Sequence, residues 1–162
     1  MTKPLAIALV LAALFLAGEA TSSAADGVAL GGSTGALSLS ATMTARQVVT
    51  PKNKPWKPPA SVAKAHGTFV GTLISGKRSL KWRITYASIG ASTLNIADIH
   101  LGKPGRFGQV LARLCGPCKS GQSGTKKISA LASQSIRSGN SWITVITSKY
   151  PNGVIRGQIK AR

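Results

Sequence analysis

Two cysteines, Cys115 and Cys118, have the spacing of a Cys-x-x-Cys dithiol and are the only cysteines in the chain. Such a pair exchanges thiols and disulfides when its first cysteine begins a helix, because the helix dipole lowers the thiol pKa. Residues 119–124 contain two glycines and no helical periodicity, so that setting is absent. We therefore predict a structural disulfide that clamps a loop, with thiol–disulfide exchange and free or metal-bound thiols as alternatives.

Asp98 and His100 form a second pair, two residues apart in a segment with strand character, so both side chains lie on one face. A metal ion needs further ligands, and nothing in the spacing of His66, Cys115 and Cys118 brings them to this pair. We predict no metal site. Asp98 is expected to pair with a nearby Lys or Arg, and His100 to hydrogen-bond to the backbone.

Other kinds of active site lack necessary residues. A nucleophilic serine needs a histidine and a carboxylate to orient it, but the only acids are Glu19, Asp26 and Asp98. Only Asp98 lies within the body of the chain, so the paired carboxylates of glycoside hydrolysis are also missing. No glycine-rich phosphate loop precedes a helical pattern. The sequence predicts no enzyme, no catalytic residue and no cofactor.

The charge balance indicates what the surface attracts. The chain has 21 Lys and Arg residues against 3 Asp and Glu, a net charge of +18, so most bases cannot pair within the molecule. We expect as partner either an unknown protein or an anionic polymer, with non-specific attraction to nucleic acid and anionic membrane surfaces. The residues that we predict to bind anions are Lys52, Lys54, Trp56, Lys57, Lys81, Arg83, Arg156 and Lys160.

Residues 51–59 carry four prolines and three lysines. Proline has no N–H for a sheet ladder, so the segment predicts an extended arm rather than a central strand. We interpret the arm either as a basic clamp for an anion or as a solvated loop. Trp56 within it is available for stacking on a sugar or a base, whereas Trp82 and Trp142 are expected in the core.

The N-terminus has the parts of a secretory signal peptide: Lys3, an uninterrupted apolar run over residues 5–17, and small residues after it. This run is shorter than the roughly 20 residues of a bilayer-spanning helix. We predict cleavage after Ala25, with Ala20 as the alternative site. The protein is then secreted or periplasmic, and its mature chain has no transmembrane segment.

The mature chain is predicted to have a Gly- and Ser-rich lead-in, residues 26–36, followed by one domain over residues 37–162. Strand patterns recur in the domain with turns between them. They cover residues 37–44, 68–74, 81–86, 94–101, 109–113, 126–131, 141–147 and 154–160. Only residues 130–138 have room for a helical turn or two. These patterns predict an all-β fold, an antiparallel β-sandwich or Greek-key barrel of about eight strands.

The last predicted strand, residues 154–160, alternates isoleucines that face the core with polar residues that face solvent. The outward residues are Arg156, Gln158 and Lys160. If this strand lies near Lys81 and Arg83, their bases form one continuous stripe.

Several stretches resemble the CHRD domain, a module repeated in chordin and found singly in many bacterial exported proteins. Residues 150–159 are similar to its ending, and residues 97–105 are similar to its Ala-His-Ile-His segment and the turn after it. Residues 45–49 and the Pro-rich arm are similar to the family's opening, and residues 67–69 and 81–86 to its first hairpin. Residues 114–118 are similar to the same stretch in bacterial members. Together these stretches cover roughly residues 37–160, in the order of the family.

The resemblance implies an all-β extracellular module without known catalysis, and we predict an exported binding or envelope-associated module. One alternative is a protein that binds a polyanion: acidic polysaccharide, nucleic acid or anionic lipid. The other is a thiol–disulfide oxidoreductase that uses Cys115 and Cys118. The chain departs from the family pattern at three positions. Asp98 replaces the first His of the family's His-Ile-His, Ile146 stands where a His is usual, and Val48 where Glu is frequent. Any function that those family residues share is expected to be lost or changed here.

Overall fold

Strands dominate the part of the chain that the computed structural model describes, residues 35–92 and 94–162. The predicted signal peptide, residues 1–25, and the lead-in up to residue 34 lie outside the described residues. The strands are β1 (Ala36–Thr44), β2 (His66–Ile74), β3 (Ser79–Ala87), β4 (Asn95–Leu101), β5 (Val110–Cys115), β6 (Ser123–Lys127), β7 (Ser141–Thr147), β8 (Ile155–Gln158) and β9 (Lys160–Ala161). One helix, α1 (Ala130–Arg137), and three 3-10 turns, Ala45–Gln47, Ala60–Val62 and Ser75–Lys77, complete the described elements.

The strands form one antiparallel sheet in the order β5-β4-β7-β8-β1-β2-β3-β6, and β9 pairs with β1. The sheet curves into a barrel that is nearly closed. Strands β1 and β2 pair along their whole length, from Ala36 opposite Ile74 to Thr44 opposite His66. The predicted all-β class and the number of strands are thus confirmed.

Alternation along the strands fills the barrel with apolar side chains. In β3, Leu80, Trp82 and Ile84 are buried, whereas Lys81 and Arg83 are exposed, as the sequence predicts. Other inward side chains with almost no exposed surface are Phe69, Leu73, Ile99, Ile143 and Ile155. This rigid core fixes which side chains point outward.

The strand predicted over residues 126–131 is wrong in its bounds, because β6 lies earlier and α1 begins at Ala130. Ile128 and Ser129 separate the two elements, and Ser129 directly precedes the helix. Its hydroxyl accepts a hydrogen bond from the Ala132 amide (3.1 Å) and so acts as a helix N-cap. The helix lies where residues 130–138 had room for one.

The last predicted strand is divided into β8 and β9 at Ile159. Ile155 and Ile159 are buried, as expected from the alternation. Gly157 lets β8 approach β1 closely, since a Cβ atom at this position would lie 2.5 Å from the Thr42 carbonyl oxygen. Strands β1 and β2 separate β8 from β3, so the segment 154–160 is not the direct neighbour of Lys81 and Arg83 that a continuous stripe would need.

Candidate functional site

Asp98 is the only acidic residue in the described part of the chain, and it is already paired. Its carboxylate is 1% exposed and accepts hydrogen bonds from Arg113 Nε (3.1 Å) and Nη2 (3.3 Å). The two residues lie opposite each other on β4 and β5. The expected partnership with an arginine is therefore present, and within the described residues no acidic side chain remains for the other bases.

A first row of residues crosses the outer face of the sheet from Lys160. Lys160 on β9 lies opposite Ser40 on β1, which lies opposite Val70 on β2, which lies opposite Arg83 on β3. Directly opposed residues in a sheet place their side chains on the same face. Lys160, Val70 and Arg83 are all exposed.

A second row runs beside the first, two residues away along each strand. Arg162 exchanges backbone hydrogen bonds with Ser38. Ser38 lies opposite Thr72, and Thr72 lies opposite Lys81. We call the eight residues of the two rows the basic sheet face: Lys160, Ser40, Val70, Arg83, Arg162, Ser38, Thr72 and Lys81.

In the basic sheet face, two pairs of cations are separated by the shorter side chains of β1 and β2. We call these side chains the floor: Ser38, Ser40, Val70 and Thr72. Neighbouring strands lie about 4.8 Å apart, so the β9 and β3 backbones are separated by about 14 Å. The hydroxyl groups of the floor can donate hydrogen bonds to an anion. The Val70 side chain is 49% exposed and offers an apolar contact. The arrangement suits a chain of anionic groups that lies along the strands.

Sequence reasoning missed two cations in this region, Arg162 and Lys127. Arg162 follows Lys160 at a spacing of two, which is the signal that was available for it. Lys127 lies opposite Ser79 at the end of β3, one step further along this face from Lys81. It was missed because its place on this face follows from the pairing of β6 with β3, which the sequence pattern does not specify.

Arg156 does not face solvent, contrary to the prediction. It is 3% exposed, and its guanidinium carbon lies 3.9 Å from the centroid of the Trp142 ring. Its Nη2 donates to the carbonyl oxygens of Arg106 (2.8 Å) and Lys103 (3.4 Å). The loop that contains these carbonyls covers this part of the outer face, and burial lowers the pKa of Arg156 to about 10.

His100 belongs to the same buried group. Its ring stacks on Trp142 with centroids 4.1 Å apart, and its Nδ1 donates to the Gly108 carbonyl at 2.9 Å, so it bonds to the backbone as predicted. Burial is the main reason that the pKa of His100 is lowered, and the nearby charge of Arg156 acts in the same direction. The Gly108 hydrogen bond and Asp98 oppose that effect.

The Pro- and Lys-rich segment is a closed turn, not the extended arm that we predicted. The Thr50 amide donates to the Lys54 carbonyl (2.9 Å), and the Trp56 amide donates to the Val48 carbonyl (3.0 Å). Asn53 adopts a positive φ of 59°, a conformation that asparagine tolerates well. Lys52 and Lys54 in the turn, and Lys57 directly after it, are exposed to solvent. None of them belongs to the basic sheet face.

Trp56 is half-buried and packs edge-on against Tyr150, with ring centroids 5.5 Å apart. Both rings line a cleft of ≈ 170 Å³ that also includes Lys149 and Asn152. Trp56 therefore supports the turn through a packing contact, and only part of its ring faces solvent. Trp82 and Trp142 are buried as expected, although Trp142 lies on the outer side of the sheet.

Cys115 and Cys118 are joined by a disulfide bond, with their Cα atoms 5.3 Å apart. Both are buried, and β6 rather than a helix follows them in the chain. The Cys118 amide donates to the Asn95 carbonyl (2.8 Å), and its carbonyl accepts from the Tyr86 hydroxyl (2.9 Å). The pair thus ties the end of β5 to β4 and β3.

Across residues 35–92 and 94–162, no three His, Cys, Asp or Glu side chains are grouped in a way that would hold a metal ion. No helix of this described region is long and apolar enough to cross a membrane.

Comparison with known protein families gives a match. The model of the CHRD domain family matches residues 39–159, which is most of the chain. No curated protein and no solved structure shows a significant match.

Proposed function

The chain belongs to the CHRD domain family, and on that premise we propose that it is an exported, non-catalytic binding module whose partner is an anionic polymer. The family is a small extracellular binding module that is not known to be catalytic. Export is supported by the signal-peptide pattern of residues 1–25 and by the disulfide, because disulfides persist in oxidising compartments.

One observation carries the choice of an anionic polymer: the cations of the basic sheet face have no acidic neighbour among the described residues. Asp98, the sole acid there, is buried against Arg113. Four cations, Lys81, Arg83, Lys160 and Arg162, therefore lie around a floor of short side chains with no acidic side chain among the described residues to pair with them. A polymer that neutralises several of them releases its own counterions, which is a large part of the binding free energy.

The three lysines of the turn, Lys52, Lys54 and Lys57, are a second cationic patch. They are exposed and lie near the partly exposed Trp56 ring. We assign them a secondary role, in general attraction to the polymer, because they have no in-register floor of hydroxyls between them.

The test is a salt series with three polyanions: heparin, duplex DNA and vesicles that contain anionic lipid. We expect the purified mature protein, residues 26–162, to bind one of these polyanions at about 150 mM salt, where exposed charges are already strongly screened. Affinity should fall linearly on a logarithmic salt scale. Weak binding that is equal for all three polyanions, and that is lost before the salt concentration has risen to about 150 mM, would mean that the charge is incidental and that the partner is a protein.

A further inference from the structure

A cleft beside the buried arginine is lined by two residues that each have a polar atom without a hydrogen-bond partner. It has a volume of ≈ 230 Å³ and is lined by residues that include Arg46, Val49, Pro104, Gly105, Arg156 and Gln158. Arg156 Nη1 and Gln158 Oε1 are both buried and have no hydrogen-bond partner. A buried polar atom without a partner is uncommon in native proteins and points to a bound group.

The two unpartnered atoms have opposite hydrogen-bonding character. Gln158 Nε2 donates to the carbonyls of Gly139 (2.8 Å) and Gly102 (3.0 Å), which fixes the orientation of the amide and leaves Oε1 as an acceptor. Arg156 Nη1 is a charged donor. A single group that pairs with both atoms therefore supplies an acceptor oxygen to Arg156 Nη1, for which an anionic oxygen is the strongest partner, and a hydrogen-bond donor to Gln158 Oε1.

The rest of the cleft is consistent with a compact, hydroxylated acid. Arg46 is exposed at its edge and adds a second guanidinium for a carboxylate. Val49 and Pro104 add apolar wall, against which the C–H face of a sugar ring packs. The volume is smaller than the roughly 300–1,000 Å³ of pockets for drug-sized ligands, so it accommodates one sugar unit and not several.

We propose that this cleft, which we call the uronate cleft, binds a uronic acid unit of an acidic polysaccharide. The carboxylate lies at Arg156 and Arg46, and a ring hydroxyl lies at Gln158. This inference rests on the proposed function and names the class of polymer. Gln158 also lines a second cleft together with Ser40, Lys160 and Arg162. A polysaccharide chain that leaves the uronate cleft therefore passes directly onto the basic sheet face.

The test is a titration of the purified protein with galacturonate, followed by ¹H–¹⁵N NMR at about 150 mM salt. We expect saturable shifts of the Gly105 amide and the Gln158 side-chain amide. Galactose has the ring hydroxyls but no carboxylate, and sulfate has anionic oxygens but no hydroxyl. Each should therefore bind at least ten-fold more weakly than galacturonate. Equal shifts with sulfate would reveal an adventitious ion only, and the absence of galacturonate shifts would point to ordered water; either result overturns the proposal.

Variants make the test specific. Arg46→Gln should weaken galacturonate binding about ten-fold, the effect of losing one charge-assisted contact. Arg83→Gln removes the same charge from the basic sheet face and should leave the monosaccharide affinity within about two-fold. Arg156→Lys tests the buried partner of the carboxylate, but it also removes the hydrogen bonds that hold the loop of residues 103–108. The loss of affinity in Arg46→Gln is therefore the result on which the test depends. Equal losses for Arg46→Gln and Arg83→Gln would show diffuse attraction and refute the site.

The two proposals fail separately. Polyanion binding without galacturonate shifts would leave the binding module intact and remove the uronate cleft. Galacturonate binding without affinity for any polyanion in the salt series would remove the role of the basic sheet face in holding a polymer.

Discussion

Trp142 is the centre of a buried polar group on the outer side of the barrel. His100 stacks on its ring, Arg156 lies against it, and its indole N–H donates to the Leu101 carbonyl at 3.1 Å. The cost of burying the Arg156 charge is offset by the aromatic face and by backbone carbonyls instead of a carboxylate. These contacts hold the loop after β4 against the sheet and so form one wall of the uronate cleft.

The lowered pKa of His100 predicts how stability depends on pH. The unfolded chain protonates this histidine near 6.5, whereas the folded protein keeps it neutral to a lower pH. Below pH 6.5 the unfolded state therefore binds the extra proton, and the free energy of unfolding falls, by up to about 1.4 kcal/mol per pH unit. Urea unfolding between pH 7.5 and 5 measures this slope.

His100→Gln should flatten that part of the profile, and His66→Gln is the matched control because His66 is exposed on β2. A steep profile that is unchanged in His100→Gln would show that another group is responsible, and would contradict our account of the Trp142 group.

Sequence reasoning predicted the partners of Asp98 and His100 correctly but placed Arg156 wrongly, for one physical reason. Alternation along a strand tells which face a side chain is on. It does not tell whether a distant loop covers that face. Residues 103–108 cover Arg156, and no local pattern indicates that they fold back over β8. The clefts at Gln158 and Tyr150 were unpredictable for the same reason.

The segment between β5 and β6 is held by the disulfide, by the Cys118 amide bond to Asn95 and by the Tyr86 hydroxyl bond to the Cys118 carbonyl. Residues 120–122 add further hydrogen bonds to the β3 backbone. Burial raises the pKa of Tyr86, which keeps this hydroxyl a donor. These contacts are typical of a structural link between strands.

Replacing both Cys115 and Cys118 by Ala should therefore affect stability alone. The disulfide closes a short loop, so the chain-entropy model gives a loss of about 2 kcal/mol in the free energy of unfolding. Urea unfolding measures this loss, and the wild-type protein in reducing agent is the control. Polyanion affinity should not change. Catalysis of disulfide exchange by the wild-type protein and its loss in the variant would instead support the oxidoreductase alternative.

Strands with clear alternation were located well from sequence, and two segments were not. Residues 123–125 (Ser, Gly and Thr) have little strand character by themselves, and they are extended because they pair with Lys81 to Arg83 on β3. The Ser129 N-cap was a readable local signal for the start of α1. The turn at residues 51–55 depends on backbone bonds to Thr50 and Val48, which the prolines alone do not specify.

The distribution of charge over the domain follows from the topology more than from composition. A count of bases predicts attraction to anions but not where it is strongest. The pairing of β9 with β1 brings Lys160 and Arg162 into the rows of Lys81 and Arg83, although almost 80 residues of sequence separate them. The lysines at residues 52, 54 and 57 are local in sequence and in space. The first set thus provides four positive charges and the second three, in different geometries.

The most direct test of the proposed function compares two charge-matched triple variants. One replaces Lys81, Arg83 and Lys160 by Gln, and the other replaces Lys52, Lys54 and Lys57 by Gln. Affinity for the tightest-binding polyanion is measured for both across the salt series. We expect the first triple to reduce the magnitude of the logarithmic salt slope by about 2 to 3, roughly one for each lost contact, and the second to change it by less than about 1. Equal losses in the two variants, or a larger loss in the second, would contradict the assignment of the basic sheet face.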